Sequence, residues 1–200
     1  ANIVARKSGS ALIGRAVGEE YADASVISFA DTEVYPANRV KITSIKTYGD
    51  YRIDLIINDL AKVFSFVGGP LKQVTSNMLE GGADSSYTSA RLIESASDGI
   101  CVVIDGREMF LGKKSYLRRY RFETPADAKD DRFEEAGGSV MFVTMNDMLI
   151  AKVYVRYRIS EQFNSLLRDM YRAGMCVGIK TVDPNITTAL LERTVRYKKC

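Results

Sequence analysis

Ala173-Gly174-Met175-Cys176-Val177-Gly178-Ile179-Lys180-Thr181-Val182-Asp183-Pro184-Asn185-Ile186-Thr187-Thr188-Ala189 is the stretch on which the reading of the fold turns. Upstream of it, Glu161 to Ala173 places Phe163, Leu166, Leu167, Met170 and Tyr171 at helical spacing, which makes one apolar face. Ser160 suits the N-cap of that helix and Gly174 its C′ stop. Met175 to Ile179 is short, apolar and strand-like. Asp183-Pro184 then has the form of a helix start, with Asp as N-cap and Pro in the first helical position. Ile186, Leu190, Arg193 and Tyr197 continue it on one stripe. Helix, strand, sharp turn and helix together predict an α/β unit with a parallel strand.

A second stretch stands near the front: Val26-Ile27-Ser28-Phe29-Ala30-Asp31-Thr32-Glu33-Val34-Tyr35-Pro36-Ala37-Asn38-Arg39-Val40-Lys41. Ala24 to Ala30 reads as a buried strand that ends just before Asp31. Folds of the α/β class place ligands at the carboxyl ends of their strands, and Asp31 and Asp183 both fall at such ends. Either residue equally suits a simple cap or turn.

Between the two stretches the period changes. Tyr51 to Phe66 is helical and strongly apolar, and Pro70 starts a second helix through Leu71, Val74, Met78 and Leu79 that Gly81-Gly82 ends. Ala90 to Ser95, Ile100 to Ile104 and Glu108 to Leu111 read as strands, with Asp105-Gly106 a hairpin signal between the last two. Thr124 to Glu135 is polar and charged. Gly137-Gly138 leads into Val140 to Thr144 and Leu149 to Tyr157, two further strands joined at Asn146-Asp147. The expectation is an α+β / α/β chain. Residues 1–45 and 145–200 form an α/β part, and residues 46–144 an inserted antiparallel sheet with helices.

Composition narrows the chemistry. The chain has 28 basic and 25 acidic residues in 200, a balance that argues against a nucleic-acid partner. Lys113, Lys114, Arg118, Arg119 and Arg121 form its basic run, which suits a solvated helix face. Histidine is absent, which removes Ser-His and Cys-His catalysis, His-ligated metals and the usual proton shuttle at neutral pH. Cys101, Cys176 and Cys200 are too far apart for a C-x-x-C site, and Cys101 and Cys176 sit in apolar runs; both points fit a reducing compartment. No run of eighteen apolar residues spans a bilayer, and no signal-peptide pattern opens the chain. The abrupt polar ends are those expected of a loop cut from a longer membrane protein.

The two stretches resemble the phosphorylation domain of P-type ion-pumping ATPases, which reads F-D-K-T-G-T-L-T-x-N at the first place and T-G-D-N-x-x-T-A within the second. The middle resembles the heavy-metal branch of that family. Val67-Gly68-Gly69-Pro70-Leu71 answers to its S-E-H-P-L element, with Gly69 where the adenine-contacting His belongs. Asp98-Gly99 through Asp105-Gly106, Gly112 and Tyr116-Leu117 answers in register to G-x-G, V-D-G and G-x-x-x-Y-L. The first Gly of G-x-G falls on Ser97. The resemblance implies a haloacid-dehalogenase-like phosphorylation part with an inserted nucleotide-binding-type domain. It also implies a position on the cytoplasmic face of a membrane, with membrane helices of the same full-length protein as partners.

The resemblance further implies site residues. Asp31, Thr32, Thr181 and Asp183 take the catalytic places, Pro70, Gly99 and Gly112 the nucleotide-binding ones, and Asp31 and Asp183 together a divalent metal. The match departs from the family where the chemistry lies. Aligned without a gap, the nucleophilic Asp falls on Ala30 and the phosphate-binding Lys on Asp31; a one-residue slip restores Asp31 as nucleophile and loses the Thr32 match. Glu33 and Val34 replace the Gly-Thr turn, Val182 and Pro184 replace the Gly and Asn of T-G-D-N, and no G-D-G-x-N-D magnesium motif follows. Phosphoryl transfer needs cations and backbone donors around the phosphate oxygens. The reading is therefore a pseudoenzyme with a structural or regulatory role, weak or absent ATP binding and no cofactor. The alternative is an active cation-transporting ATPase fragment, or a haloacid-dehalogenase-like phosphatase, using Asp31 with Mg and ATP. A plain interaction module is the third reading.

Overall fold

Where the chain must turn, its glycines, aspartates and asparagines set the geometry, and two hairpins follow from them. In the computed structural model, which describes residues 26–79 and 85–195, Asp105 and Gly106 have φ of 50° and 77°, and Asn146 and Asp147 have φ of 46° and 66°. Two consecutive positive φ values define the tight turn whose twist matches that of the flanking strands. The first turn joins β4 (Gly99–Ile104) to β5 (Arg107–Gly112), and the second joins β6 (Gly138–Met145) to β7 (Met148–Tyr157).

Among the described residues these strands belong to a six-stranded antiparallel sheet, in the order β2-β7-β6-β5-β4-β3, with β2 at Val40–Thr47 and β3 at Ala90–Ala96. Every residue of β6 is buried, as expected of a strand covered on both faces. One face receives α2 (Ile53–Val67) and α3 (Pro70–Ser76), whose Ile56, Leu60, Phe64 and Leu71 pack in one core with Val102, Met141 and Val153. The other face receives α4 (Lys114–Arg119) and α5 (Ala128–Glu135), through Tyr116, Leu117 and Phe133 over Cys101, Phe110 and Tyr154.

The second sheet is a parallel pair, β1 (Val26–Ala30) with β8 (Cys176–Lys180), in a register that sets Ala30 opposite Lys180. Helix α6 (Glu161–Arg172) precedes β8, and α7 (Thr188–Thr194) follows it. The ends of α6 are those read from sequence. The Ser160 side chain accepts from the Phe163 amide, and Gly174 at φ 71° stops the helix while the Met175 amide bonds the Met170 carbonyl at 3.0 Å. Phe29 of β1 meets Phe163 of α6 edge to face, with ring centroids 4.9 Å apart. Of the expected apolar face, Phe163 and Met170 are buried, whereas Leu166 and Tyr171 remain exposed.

Four expectations change. First, residues 40–47 and 148–157, assigned to the α/β part, pair with each other in the antiparallel sheet, as Val40 with Tyr157 and Thr47 with Ala151. The reason is burial: β7 is buried along nearly its whole length and takes a strand on each side, β2 and β6. One core continues from α2 through this sheet to Phe163, Ile186 and Leu190. Second, Asp183-Pro184 opens a turn and not a helix; α7 begins at Thr188, and Thr187 caps it. Third, the polar stretch before Gly137 contains helix α5, whose N-cap Asp127 accepts from the Lys129 amide. Fourth, helix α3 stops at Ser76, short of Met78 and Leu79. Ala24, Gly81-Gly82, Tyr197 and Cys200 lie outside the described residues. Among the described residues no helix is long and apolar enough to cross a membrane.

Candidate functional site

The parallel register of β1 and β8 brings their carboxyl ends together, so Asp31 follows Ala30 directly beside Thr181, which follows Lys180. The Thr181 hydroxyl donates to Asp31 Oδ2 at 2.8 Å and accepts from the Asp183 amide at 3.0 Å. One threonine thus ties the two aspartates. Three of the four residues read as catalytic from sequence, Asp31, Thr181 and Asp183, sit in one cluster. Thr32 is exposed on the one-turn helix α1 (Asp31–Val34), and its backbone amide, not its hydroxyl, supports the Asp31 carboxylate.

Asp183 is fully engaged. Its Oδ2 accepts from the Tyr157 hydroxyl at 2.6 Å, and its Oδ1 accepts from the Asn185 backbone amide at 2.9 Å and the Asn185 side-chain amide at 3.1 Å. This is an Asx-type turn, and it is why Asp183 does not cap α7. Asn185 Oδ1 in turn accepts from Ser139 Oγ at 2.9 Å. Ser139 is bonded by the Lys113 ammonium, which also donates to Glu134 Oε1 at 2.8 Å and to the Val140 carbonyl at 3.2 Å. A polar chain therefore runs from β5 and α5, through β6, to the turn after β8. Lys113, read as solvated, is the half-buried start of that chain.

Burial sets the electrostatics. Asp31 is 6% exposed and Asp183 3%. Among the described residues no lysine or arginine forms an ion pair with either. Desolvation raises the Asp31 carboxyl above its ordinary 3.8, against the hydrogen bond from Thr181. Desolvation pushes Asp183 up to about 6, with bonds from Tyr157 and Asn185 pulling it down and the Asp31 charge pushing it up. A folded-state value above the unfolded one stabilises the fold below pH 3.8, and the benefit is lost as pH rises through about 6. A rise from 3.8 to about 6 is worth on the order of 3 kcal/mol. Asp183→Asn keeps an acceptor for the Asn185 amides and carries no charge. We expect wild-type stability relative to Asp183→Asn to fall by that order between pH 4 and pH 7 in urea titrations; parallel curves would contradict it.

The residues implied for a nucleotide sit differently. Pro70 is buried at the first position of α3, and Gly69 before it has φ 81°. A Cβ on Gly69 would lie 3.2 Å from Asp31 Oδ2 and 3.9 Å from Asp183 Cβ, so this loop rests on the aspartate cluster. Gly99 and Gly112 pair in register on β4 and β5, beneath the buried ring of Tyr116. A Cβ on Gly99 would stand 2.0 Å from Tyr116 Cδ1. The space over these glycines is filled by the protein itself. Beside the cluster, a cavity of about 280 Å³ is lined by Ser97, Thr181, Asp183, Thr187 and Thr188. Among the described residues no group of three or more Cys, Asp or Glu side chains is placed to hold a metal ion.

Sequence reasoning did not find Tyr157 and Asn185 as partners of Asp183, or Ser139 as the partner of Asn185. Nothing local signals Tyr157 or Ser139, since Ser139 and Asn185 are 46 residues apart and Tyr157 and Asp183 are 26 apart; Asn185, two residues from Asp183, was within reach of a local Asx-turn reading.

No family model matches the chain, and no curated protein does. Solved structures do. A zinc-transporting PIB-type ATPase aligns at 18% identity over 80% of this chain and 26% of its own, with a TM-score of 0.46. The catalytic domain of a CPx-ATPase aligns at 15% identity over 83% of this chain and 56% of its own, with a TM-score of 0.48. The N-domain of a copper-transporting P-type ATPase aligns at 11% identity over 60% of this chain and 99% of its own, with a TM-score of 0.42. The chain thus spans about a quarter of the length of the zinc transporter it matches.

Proposed function

We propose that this chain is a catalytically silent, P-type-ATPase-like cytoplasmic region with a structural or regulatory role. In this reading β1, β8, α6 and α7 are a haloacid-dehalogenase-like remnant, and the antiparallel sheet is its inserted nucleotide-binding-type domain. Membrane helices of the same full-length protein carry the region on the cytoplasmic face. The observation that supports the reading is the state of Asp31, which is buried, bonded to Thr181 and without a cation partner among the described residues. A nucleophilic carboxylate must stand open, in line with a phosphoryl group whose charge is neutralised by cations and donors. Here burial favours the protonated, non-nucleophilic form. The second aspartate has both oxygens committed to Tyr157 and Asn185, so ligating a magnesium ion costs existing hydrogen bonds.

The test is phosphorylation with labelled ATP and Mg²⁺, comparing the chain with Asp31→Asn, alongside calorimetric titration with ATP. We expect no hydroxylamine-labile label in either protein and no low-micromolar binding. Loss of transition-state electrostatics alone costs about 10²-fold or more in rate. Label that appears in the chain and vanishes in Asp31→Asn would establish instead an active ATPase fragment or phosphatase that uses Asp31 with Mg and ATP.

A further inference from the structure

The loop between α2 and α3 consists of Gly68 and Gly69, at φ 84°, ψ −151° and φ 81°, ψ −177°. Both lie in a backbone region that is essentially reserved for glycine. The loop is half-buried, with its inner side on the aspartates. Gly69 comes so near that a methyl group there would press on Asp31 Oδ2 at 3.2 Å, whereas a Cβ on Gly68 meets nothing within 4 Å. Beneath the loop, Asp31 and Asp183 are almost wholly shielded from water. Among the described residues two backbone bonds hold the loop: the Gly68 amide to the Phe64 carbonyl at 2.9 Å, and the Lys72 amide to the Gly69 carbonyl at 3.2 Å. Buried Pro70 and Leu71 anchor its far side.

We propose that Gly68-Gly69 is a cover over Asp31, a contact whose local lifting, without unfolding, is what admits ligands to its carboxylate. The argument is steric. A side chain at Gly69 would crowd Asp31 and strain a backbone at φ 81°, and two successive glycines make the segment able to pivot between two helices that stay packed. α2 is held to the sheet by Leu60, Val63 and Phe64, and α3 by Leu71. The loop can therefore move while its flanking helices remain seated. The cover governs access alone, and it stands whether or not the cluster ever turns over a phosphate.

Carbodiimide-driven coupling of glycine ethyl ester, read residue by residue by mass spectrometry, tests it on the folded chain. In the wild type, Asp31 and Asp183 label slowly, and the exposed Asp50 and Asp147 label fast. Gly69→Ala puts a methyl group on Asp31 and should raise labelling of Asp31 by about tenfold or more, as expected when a local opening becomes cheap. Gly68→Ala strains the same stretch of backbone without touching Asp31 and should raise it far less. Equal exposure in the two variants, or continued protection in a folded Gly69→Ala, overturns the cover. A wild-type measurement keeps the test open if Gly69→Ala does not fold. Labelling of Asp31 should be nearly independent of urea below the unfolding transition, because local opening exposes little surface. A urea slope equal to that of global unfolding would show that no separate cover exists. Phosphorylation assays are blind to this outcome and labelling is blind to turnover, so the two proposals fail separately.

Discussion

Replacing Lys152 with alanine should destabilise the fold by roughly 3–5 kcal/mol, the usual cost of leaving a buried charge without its partner. Lys152 lies in the middle of β7 with a fully buried side chain, where a lysine normally has no place. Its ammonium donates to Asp130 Oδ1 at 2.7 Å and to Asp127 Oδ2 at 3.1 Å. The Tyr154 hydroxyl donates to the same Asp130 oxygen at 2.7 Å. Burial on its own would lower the lysine's pKa, but the bonds with Asp130, Tyr154 and Asp127 raise it, so the ammonium stays charged. Asp130 is itself buried, and its Oδ2 has no partner among the described residues. Without the ammonium, that carboxylate keeps a single hydroxyl donor. Urea unfolding of Lys152→Ala measures the loss. Lys152→Met with Asp130→Asn should recover most of it, because the amide neutralises the charge and still accepts from Tyr154. A double variant as unstable as Lys152→Ala would place the loss in packing and not in charge.

What the sequence disclosed follows a division between local and distant causes. Asp105-Gly106 and Asn146-Asp147 specify their hairpins within two residues, and Ser160 with Gly174 bounds α6 within one element. These features depend on neighbours in the chain. The site shows the opposite. Asp31 and Asp183 were legible as strand-end residues and Thr181 through the family resemblance, and the parallel register of β1 and β8 brings them together. Their roles depend on groups that no local pattern reveals: Tyr157 on β7, Ser139 on β6 and the backbone of Gly69. Asp183 followed by Pro184 has every local mark of a helix start, yet its carboxylate is claimed by Tyr157 and turned inward. Lys113 belongs to a run of cations and pairs with Glu134, twenty-one residues on. Helix α5 escaped notice because its single large apolar residue, Phe133, gives no periodicity; Asp127 was its only local sign. Strand β2 escaped because its partner in β7 lies over a hundred residues away.

The double substitution of Gly99 and Tyr116 should show strong coupling, because one residue exists in the shape of the other. Gly99 and Gly112 face each other across β4 and β5, and the Tyr116 ring lies directly over them. The ring is held from several sides. Its hydroxyl donates to Glu94 at 2.8 Å, Phe110 and Tyr120 flank it at 6.2 and 5.4 Å, and the Arg119 guanidinium stands 5.0 Å from its centre. A methyl group on Gly99 would fall 2.0 Å from Cδ1 and 2.1 Å from Cγ, so strand or ring must shift. Overpacking of this kind costs about 1–3 kcal/mol and sometimes more. Tyr116→Ala removes a fully buried aromatic side chain, at roughly 3–5 kcal/mol by analogy with buried Phe or Trp. In that background Gly99→Ala meets empty space and should cost less than about 1 kcal/mol, so the two losses should not add. Additive losses in the double-mutant cycle would mean that the ring does not rest on Gly99. The same contact bears on function. With Tyr116 in place, the bare backbone of Gly99 and Gly112 receives an aromatic ring of the protein's own, so a purine could approach these glycines only after Tyr116 had left its site.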